Sequence, residues 1–197
     1  MKKRVAVFVS GGGTNLQVLL DAQANGTLRS GEIALVVSSK PGVYALERAE
    51  QAGVPAYAIP RKELGLPAFE ARCLALIEEY RIDYMVTAGF LTIFSEDFTR
   101  RFPNKMINVH PALLPAFGGK GYYGLRVHEA VLASGVKVTG ATVHYVNEVC
   151  DGGEIILQQR VDVLPGDSPE SLQRRVMEQA EWLLLPRALE MICAKTP

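Results

Sequence analysis

An apolar run, Val5 to Val9, stops at Ser10-Gly11-Gly12-Gly13, and Leu16, Leu19, Leu20 and Ala24 then recur at helical spacing. A strand without polar alternation is buried on both faces, and such strands belong to sheets covered by helices on either side. This opening commits the chain to the α/β class. The alternation continues with a strand at Ile33–Val37, a helix at Ala45–Ala52 and a short strand at Ala56–Ile59. A helix over Pro67–Tyr80 places Phe69, Cys73, Leu76 and Ile77 on one face, and Ile82–Thr87 reads as the next strand. A short helical stretch around Ser95–Arg101 leads into a strand at Met106–Val109. Strands separated in this way by helices are joined by right-handed crossovers into a parallel sheet.

The pattern changes afterwards. Leu125–Ala133 reads as a helix, whereas Val138–Val146 alternates, with Thr142, His144 and Val146 on one face and Val143 and Tyr145 on the other. A strand over Glu154–Val163, reached through a tight Asp-Gly-Gly turn, predicts an antiparallel pair. Ser168 as N-cap and Pro169 in the first turn open a final helix running to about Cys193. The expected architecture is one mixed sheet, parallel in its N-terminal half with an antiparallel C-terminal hairpin and helices on both faces. It forms a single domain over residues 1–197.

Charge narrows the partners. Lys and Arg number 21 and so do Asp and Glu, giving a net charge of +0. Nucleic-acid and membrane-surface proteins carry a basic excess, so neither partner is expected. Cys73, Cys150 and Cys193 make an odd set without paired spacing, which suits a reducing cytoplasm rather than a disulfide framework. No apolar stretch approaches a transmembrane length.

Ser10-Gly11-Gly12-Gly13-Thr14-Asn15 joins a strand to a helix, where free N–H groups and the positive end of the helix dipole suit a phosphate. Neither the dinucleotide fingerprint nor the Gly-Lys-Ser/Thr of an ATP loop is present, so a single small phosphate fits best. Asn108 and His110 stand two apart at the end of a predicted central strand, on the same face and at the edge where open α/β sheets place ligands. Asp151 precedes two glycines. An amide, an imidazole and a carboxylate brought together can stabilise an oxyanion and move a proton. His144 is open to a structural or a ligand-lining role, His128 is expected in solvent on its helix, and Cys150 as a small apolar filler. The three histidines lack metal-ligand spacing, so no metal is expected. Ala88–Phe94 reads either as core or as the wall of a pocket for a flat heterocycle, and Phe117–Gly124, rich in glycine, as a mobile loop.

Taken in order, VFVSGGGTNLQ, AGFLTIFS, INVHPALLPAF, TGATVHYVNEVCDGGEIILQ and GDSPESLQRRV resemble the folate-dependent glycinamide ribonucleotide formyltransferase family of purine synthesis, over essentially the whole chain. The resemblance implies a Rossmann-like fold, with about residues 1–100 holding the ribonucleotide phosphate and about 101–197 the catalytic and folate half. It implies 10-formyltetrahydrofolate as co-substrate and glycinamide ribonucleotide as acceptor, in a cytoplasmic monomer or homodimer. The family's phosphate loop falls on Gly12, Gly13, Thr14 and Asn15, and its catalytic residues on Asn108, His110 and Asp151. Its acidic ligand for the substrate ribose or phosphate falls on Glu181. Its folate contacts fall on Phe90, Leu91, Ile93, Asn108 and Val149, with Arg61 or Arg72 at the folate tail. The chain departs from the common pattern at Ala112, Thr92 and Trp182 and in a longer Gly118–Gly124 loop, none of which touches the trio. Formyltetrahydrofolate deformylases share the trio behind an extra N-terminal domain, and methionyl-tRNA formyltransferases add a C-terminal one. A start at the first strand and an end after one helix favour the ribonucleotide branch. A non-catalytic nucleotide-binding module is the remaining alternative, and the intact trio argues against it.

Overall fold

A computed structural model describes residues 1–195 of the chain. Seven strands form one sheet in the order β3-β2-β1-β4-β5-β6-β7. They are β1 (Lys3–Val9), β2 (Gly31–Ser38), β3 (Ala56–Ala58), β4 (Tyr84–Thr87), β5 (Met106–His110), β6 (Val138–Tyr145) and β7 (Ile155–Asp162). The first five pair in parallel, and β6 pairs antiparallel with both β5 and β7. The helices are α1 (Thr14–Ala24), α2 (Tyr44–Gln51), α3 (Arg61–Glu79), α4 (Glu96–Arg100), α5 (Leu125–Ser134), α6 (Pro169–Val176) and α7 (Trp182–Ala194).

The sheet is covered on both faces, as continuous apolar strands require. On one side α1, α2, α5, α6 and α7 pack Leu16, Ala45, Val131, Leu172 and Leu189 against strand residues such as Val7 and Ile107. On the other, Phe69, Cys73 and Ile77 of α3 and Phe98 of α4 cover Phe8, Leu35, Met85 and Met106. Phe94 stacks on Phe98 with ring centroids 4.2 Å apart. Each buried phenyl contributes about 1.5–3 kcal/mol and leaves the following segment a rigid base. Within β5, Ile107 and Val109 enter the first core and Met106 the second. Alternation therefore turns Asn108 and His110 to the Met106 side, at the C-terminal end of the strand.

Three boundaries differ from the sequence reading. α3 begins at Arg61 rather than Pro67, because Gly65, at φ 77, kinks two helical pieces together ahead of the proline. The β6–β7 connection is not a tight turn: residues 146–154 leave the sheet as a loop, and Asp151 sits within it at φ 54. The final helix is interrupted by a π-helical turn at Met177–Glu181. Leu172, Val176, Ala180, Leu184 and Ala188 are all buried at a strict spacing of four. A regular 3.6-residue helix would rotate that row off the core, and the extra residue of a π turn brings it back.

Candidate active site

Strand register builds the polar cluster at the end of β5. Thr87 pairs with Asn108 across β4–β5, and Asn108 pairs with His144 across β5–β6, so three polar side chains stand in a row on neighbouring strands. Thr87 Oγ1 donates to Asn108 Oδ1 at 2.8 Å, which fixes the amide and leaves its NH2 for other partners. Asn108 Nδ2 lies 3.2 Å from His144 Nε2. His144 Nδ1 lies 2.8 Å from the Tyr145 carbonyl, which can only accept, so the ring hydrogen sits on Nδ1. Nε2 is left facing both the Asn108 amide and the Asp151 carboxylate: bare, it accepts from the first, and carrying a hydrogen, it donates to the second.

Asp151 enters from the 146–154 loop between two imidazoles. Its Oδ1 is 3.5 Å from His144 Nε2, and its Oδ2 is 3.6 Å from His110 Nδ1. Gly153 lets this loop return to the sheet, since a Cβ there would collide with the Tyr145 carbonyl. A left-handed φ at a non-glycine residue is the kind of strain that accumulates at functional positions. Burial works against the Asp151 charge, yet His144, the His110 charge and the Gly119 N–H together hold its carboxyl below the usual carboxylate range. His110 is 4% exposed. Burial lowers its proton affinity and outweighs the raising effects of Asp151 and the Phe117 carbonyl, with His144 acting alongside burial. At neutral pH the pair is thus a carboxylate and a neutral ring, each facing the other with an atom able to take a proton.

The glycine-rich loop, expected from the sequence to leave the trio untouched, is instead tied to two of its members. His110 Nε2–H donates to the Phe117 carbonyl at 2.8 Å, and the Gly119 N–H donates to Asp151 Oδ2 at 2.9 Å. Two adjoining openings share Phe90, Ile93, Asn108, Cys150 and Asp151 in their walls. A cavity of about 570 Å3 is lined by Leu91, Asn108, His110, Lys120, Tyr122 and Asp151. A smaller one, about 110 Å3, is lined by Phe90, Ile93, Asn108, His144, Val149 and Asp151. Leu91, Ile93 and Val149 are more than half exposed, apolar groups open to an occupant. Thr92 also lines the smaller opening.

The glycine loop before α1 lies at the same sheet edge, following β1. Gly13, at φ 74, is the N-cap of α1. Asn15 Nδ2 donates to Glu181 Oε2 at 2.8 Å, while Asn15 Oδ1 is buried without a partner. The π turn is what brings Glu181, 6% exposed, inward beside Ala180. Burial raises the Glu181 carboxyl above its usual range, more than the Asn15 bond lowers it. A carboxyl here suits hydroxyl groups better than a phosphate. Ser10 links loop and cavity: its Oγ accepts from the Leu91 N–H at 3.0 Å and bonds Ser39 Oγ at 2.7 Å.

The structure brings Asn108, His110 and Asp151 together, sets Phe90, Leu91, Ile93 and Val149 around them, and joins Asn15 to Glu181. Arg61 and Arg72 line neither cavity; Arg61 opens α3 and Arg72 stands exposed on it. His128 is not in solvent: it is fully buried, and neither ring nitrogen has a partner. Its i, i+3 spacing to Val131 was the available signal. Cys150 is half-buried with its Sγ 3.8 Å from Asp151 Oδ2, and burial followed by the Asp151 charge raises its thiol. Thr87 escaped the sequence reading, and His144 stayed open between a structural and a ligand-lining role, because only strand pairing makes them neighbours of Asn108. Among the described residues no His, Cys, Asp or Glu side chains cluster as metal ligands.

An amide, a carboxylate and two imidazoles meet at the end of β5 on a Rossmann-like mixed sheet, an arrangement able to serve group transfer. The chain belongs to the formyl transferase family, whose pattern matches residues 3–189. It is 37% identical over 194 residues to the chloroplastic phosphoribosylglycinamide formyltransferase of Arabidopsis thaliana, covering 98% of this chain and 66% of that protein. It is 41% identical over 194 residues to the trifunctional purine biosynthetic protein adenosine-3 of Gallus gallus, covering 98% of this chain and 19% of that one. The chain thus spans just under two thirds of the first and about a fifth of the second. Glycinamide ribonucleotide transformylase 1 of Symbiobacterium toebii superposes with a TM-score of 0.90 at 38% identity, over 98% of this chain and 88% of that one. No described helix is long and apolar enough to cross a membrane.

Proposed function

We propose that the chain transfers the formyl group of 10-formyltetrahydrofolate to the amine of glycinamide ribonucleotide, as the names of its relatives suggest for them. The observation that carries the reading is that Asn108 and Asp151 line two adjoining cavities, with His110 in the wall of one and His144 in the wall of the other. The smaller, with Phe90, Ile93 and Val149, takes the flat pterin. The larger takes the ribonucleotide, whose phosphate lies on the amides of Gly12, Gly13, Thr14 and Asn15 and whose ribose hydroxyls meet Glu181. Formyl donor and amine then meet at Asn108.

The amine attacks the formyl carbon, and the carbonyl oxygen becomes an oxyanion. Asn108 donates through Nδ2. The oxyanion, a stronger acceptor than an amide carbonyl, competes with Phe117 for the His110 Nε2–H. The attacking nitrogen gives up a proton to the Asp151 carboxylate, flanked by two rings able to share it. Once protonated at Nε2, His144 turns from an acceptor for Asn108 into a donor for Asp151, and both Asn108 hydrogens are then available to the oxyanion. Collapse of the intermediate breaks the bond to the folate nitrogen, which takes back the proton held by Asp151 and His144 and leaves as tetrahydrofolate. The enzyme acts as a monomer or homodimer, and the odd, unpaired cysteine set suits the cytoplasm.

The test mixes purified protein with 10-formyltetrahydrofolate, with and without glycinamide ribonucleotide, and follows tetrahydrofolate release. Release that requires the ribonucleotide supports the transferase. Release without it makes the protein a deformylase, and no release in either case leaves a binding module.

A further inference from the structure

The first two carbonyls of the glycine loop are turned towards α2. Gly11 O accepts from the Ala45 N–H at 3.2 Å, and Gly12 O accepts from Arg48 Nε at 2.8 Å. The same guanidinium donates through Nη1 to Gln17 Oε1 of α1 at 2.8 Å, and its Cζ lies 4.7 Å from the centroid of the Tyr44 ring. One side chain is thus held by a loop carbonyl, by the helix that follows the loop and by an aromatic face. Gly13 completes the junction: a Cβ there would approach Ala45 Cβ to 2.6 Å, so loop and helix meet backbone to backbone.

In a trans peptide the C=O and the following N–H point in opposite directions. Carbonyls of Gly11 and Gly12 drawn to α2 therefore aim the amides of Gly12 and Gly13 away from it. The first-turn amides of α1, at Thr14 and Asn15, likewise have no intrahelical acceptor. A loop free to rotate would present carbonyl oxygen to the anion in some of its conformations, and only the α2-anchored one presents a set of donors. The guanidinium also leaves a permanent positive charge directly behind that set.

Resting on the reading of this loop as the phosphate site, we propose that Arg48 is its positioning residue: it pins the Gly12 carbonyl to α2, and so aims the loop amides at the ribonucleotide phosphate. Lysine keeps the charge but cannot reach Gly12 O and Gln17 Oε1 with one planar fork. Arg48 has no place in the transfer chemistry, so the effect falls on binding of one substrate.

The test compares the full chain with Arg48→Ala and Arg48→Lys, by steady-state kinetics and by calorimetric titration with glycinamide ribonucleotide and with ribose 5-phosphate. The expected result is a rise of about tenfold or more in KM and Kd for the phosphorylated ligands in Arg48→Ala, the scale of a lost charged hydrogen bond. Arg48→Lys falls between, with kcat and the folate KM within about twofold of the parent in both. Unchanged affinity for both phosphorylated ligands in either folded variant overturns the proposal, as does an equal loss in kcat and folate KM. If Arg48→Ala does not fold, Arg48→Lys decides alone. Arg48-dependent binding of ribose 5-phosphate without formyl transfer upholds the positioning role and rejects the substrate reading. Binding of neither ligand by the parent chain rejects both.

Discussion

Asp151 Oδ1 lies 3.5 Å from His144 Nε2, the same nitrogen that Asn108 Nδ2 approaches to 3.2 Å. Because His144 Nδ1–H is committed to the Tyr145 carbonyl, Nε2 can serve only one of these neighbours in each protonation state. Neutral, it holds Asn108; protonated, it holds Asp151. In the proposed mechanism, arrival of a proton at His144 Nε2 therefore draws the ring to Asp151 and frees the Asn108 amide in one step.

Asp151→Asn keeps the size of the side chain and removes the proton acceptor. The expected loss in kcat is about 10²–10⁴-fold, the usual contribution of a positioned acid or base. The Asp151 charge is one of the effects raising the proton affinity of His110, so its removal lowers that affinity further. The acid limb of the residual kcat/KM profile should move to lower pH. Near-normal kcat in the variant would remove Asp151 from the mechanism.

Asn108→Ala deletes the amide proposed as oxyanion donor, which Thr87 holds in place. A loss of about 2.7–4 kcal/mol of transition-state stabilisation is expected, read as a fall in kcat of about 10²–10³-fold with little change in either KM. A variant that raised KM alone would show that Asn108 only binds.

How much of this was legible beforehand depended on how local each determinant is. The Val5–Val9 run and the glycines after it are enough to declare a strand, a turn and a helix, and the regular alternation to β5 makes the sheet parallel. Asn108 and His110 could be placed because two-residue periodicity is a property of one strand. The 146–154 loop was hidden, because Asp-Gly-Gly is also an ordinary hairpin sequence; only the Gly153 approach to Tyr145 distinguishes them. His144 needed the β5–β6 register, a non-local fact, before it became a neighbour of Asp151. The π turn was foreshadowed by the strict spacing of four in the last helices, a signal that a 3.6-residue template passes over.

Glu181→Gln separates the ribose and phosphate readings of that side chain. Glutamine preserves a hydrogen-bonding oxygen and removes the charge. If Glu181 accepts from ribose hydroxyls, KM for the ribonucleotide should rise by about tenfold, consistent with a charged hydrogen bond of about 1.5–3 kcal/mol. Asn15→Ala should act in the same direction, since Asn15 donates to Glu181 at 2.8 Å. A lower KM in Glu181→Gln would mean that the carboxylate repels the phosphate.

His128 gives the fold its own pH dependence. Fully buried on α5 with both ring nitrogens unpartnered, it has its pKa lowered to about 4, first by burial and then by His110. The unfolded chain binds this proton below about 6.5 while the folded chain does not until about 4, so stability is lost as pH falls through that window. Between pH 7 and 4.5 the cost of this one group is about 2 kcal/mol. His110, lowered in the same direction, adds to it. His128→Leu leaves no donor or acceptor stranded, since the imidazole had no partner, and should be at least as stable at pH 7. Urea unfolding at pH 7 and pH 4.5 reads the difference: the parent should lose about 2 kcal/mol more than the variant over that interval. Equal losses would mean that His128 takes up its proton in the folded state as readily as in the unfolded one.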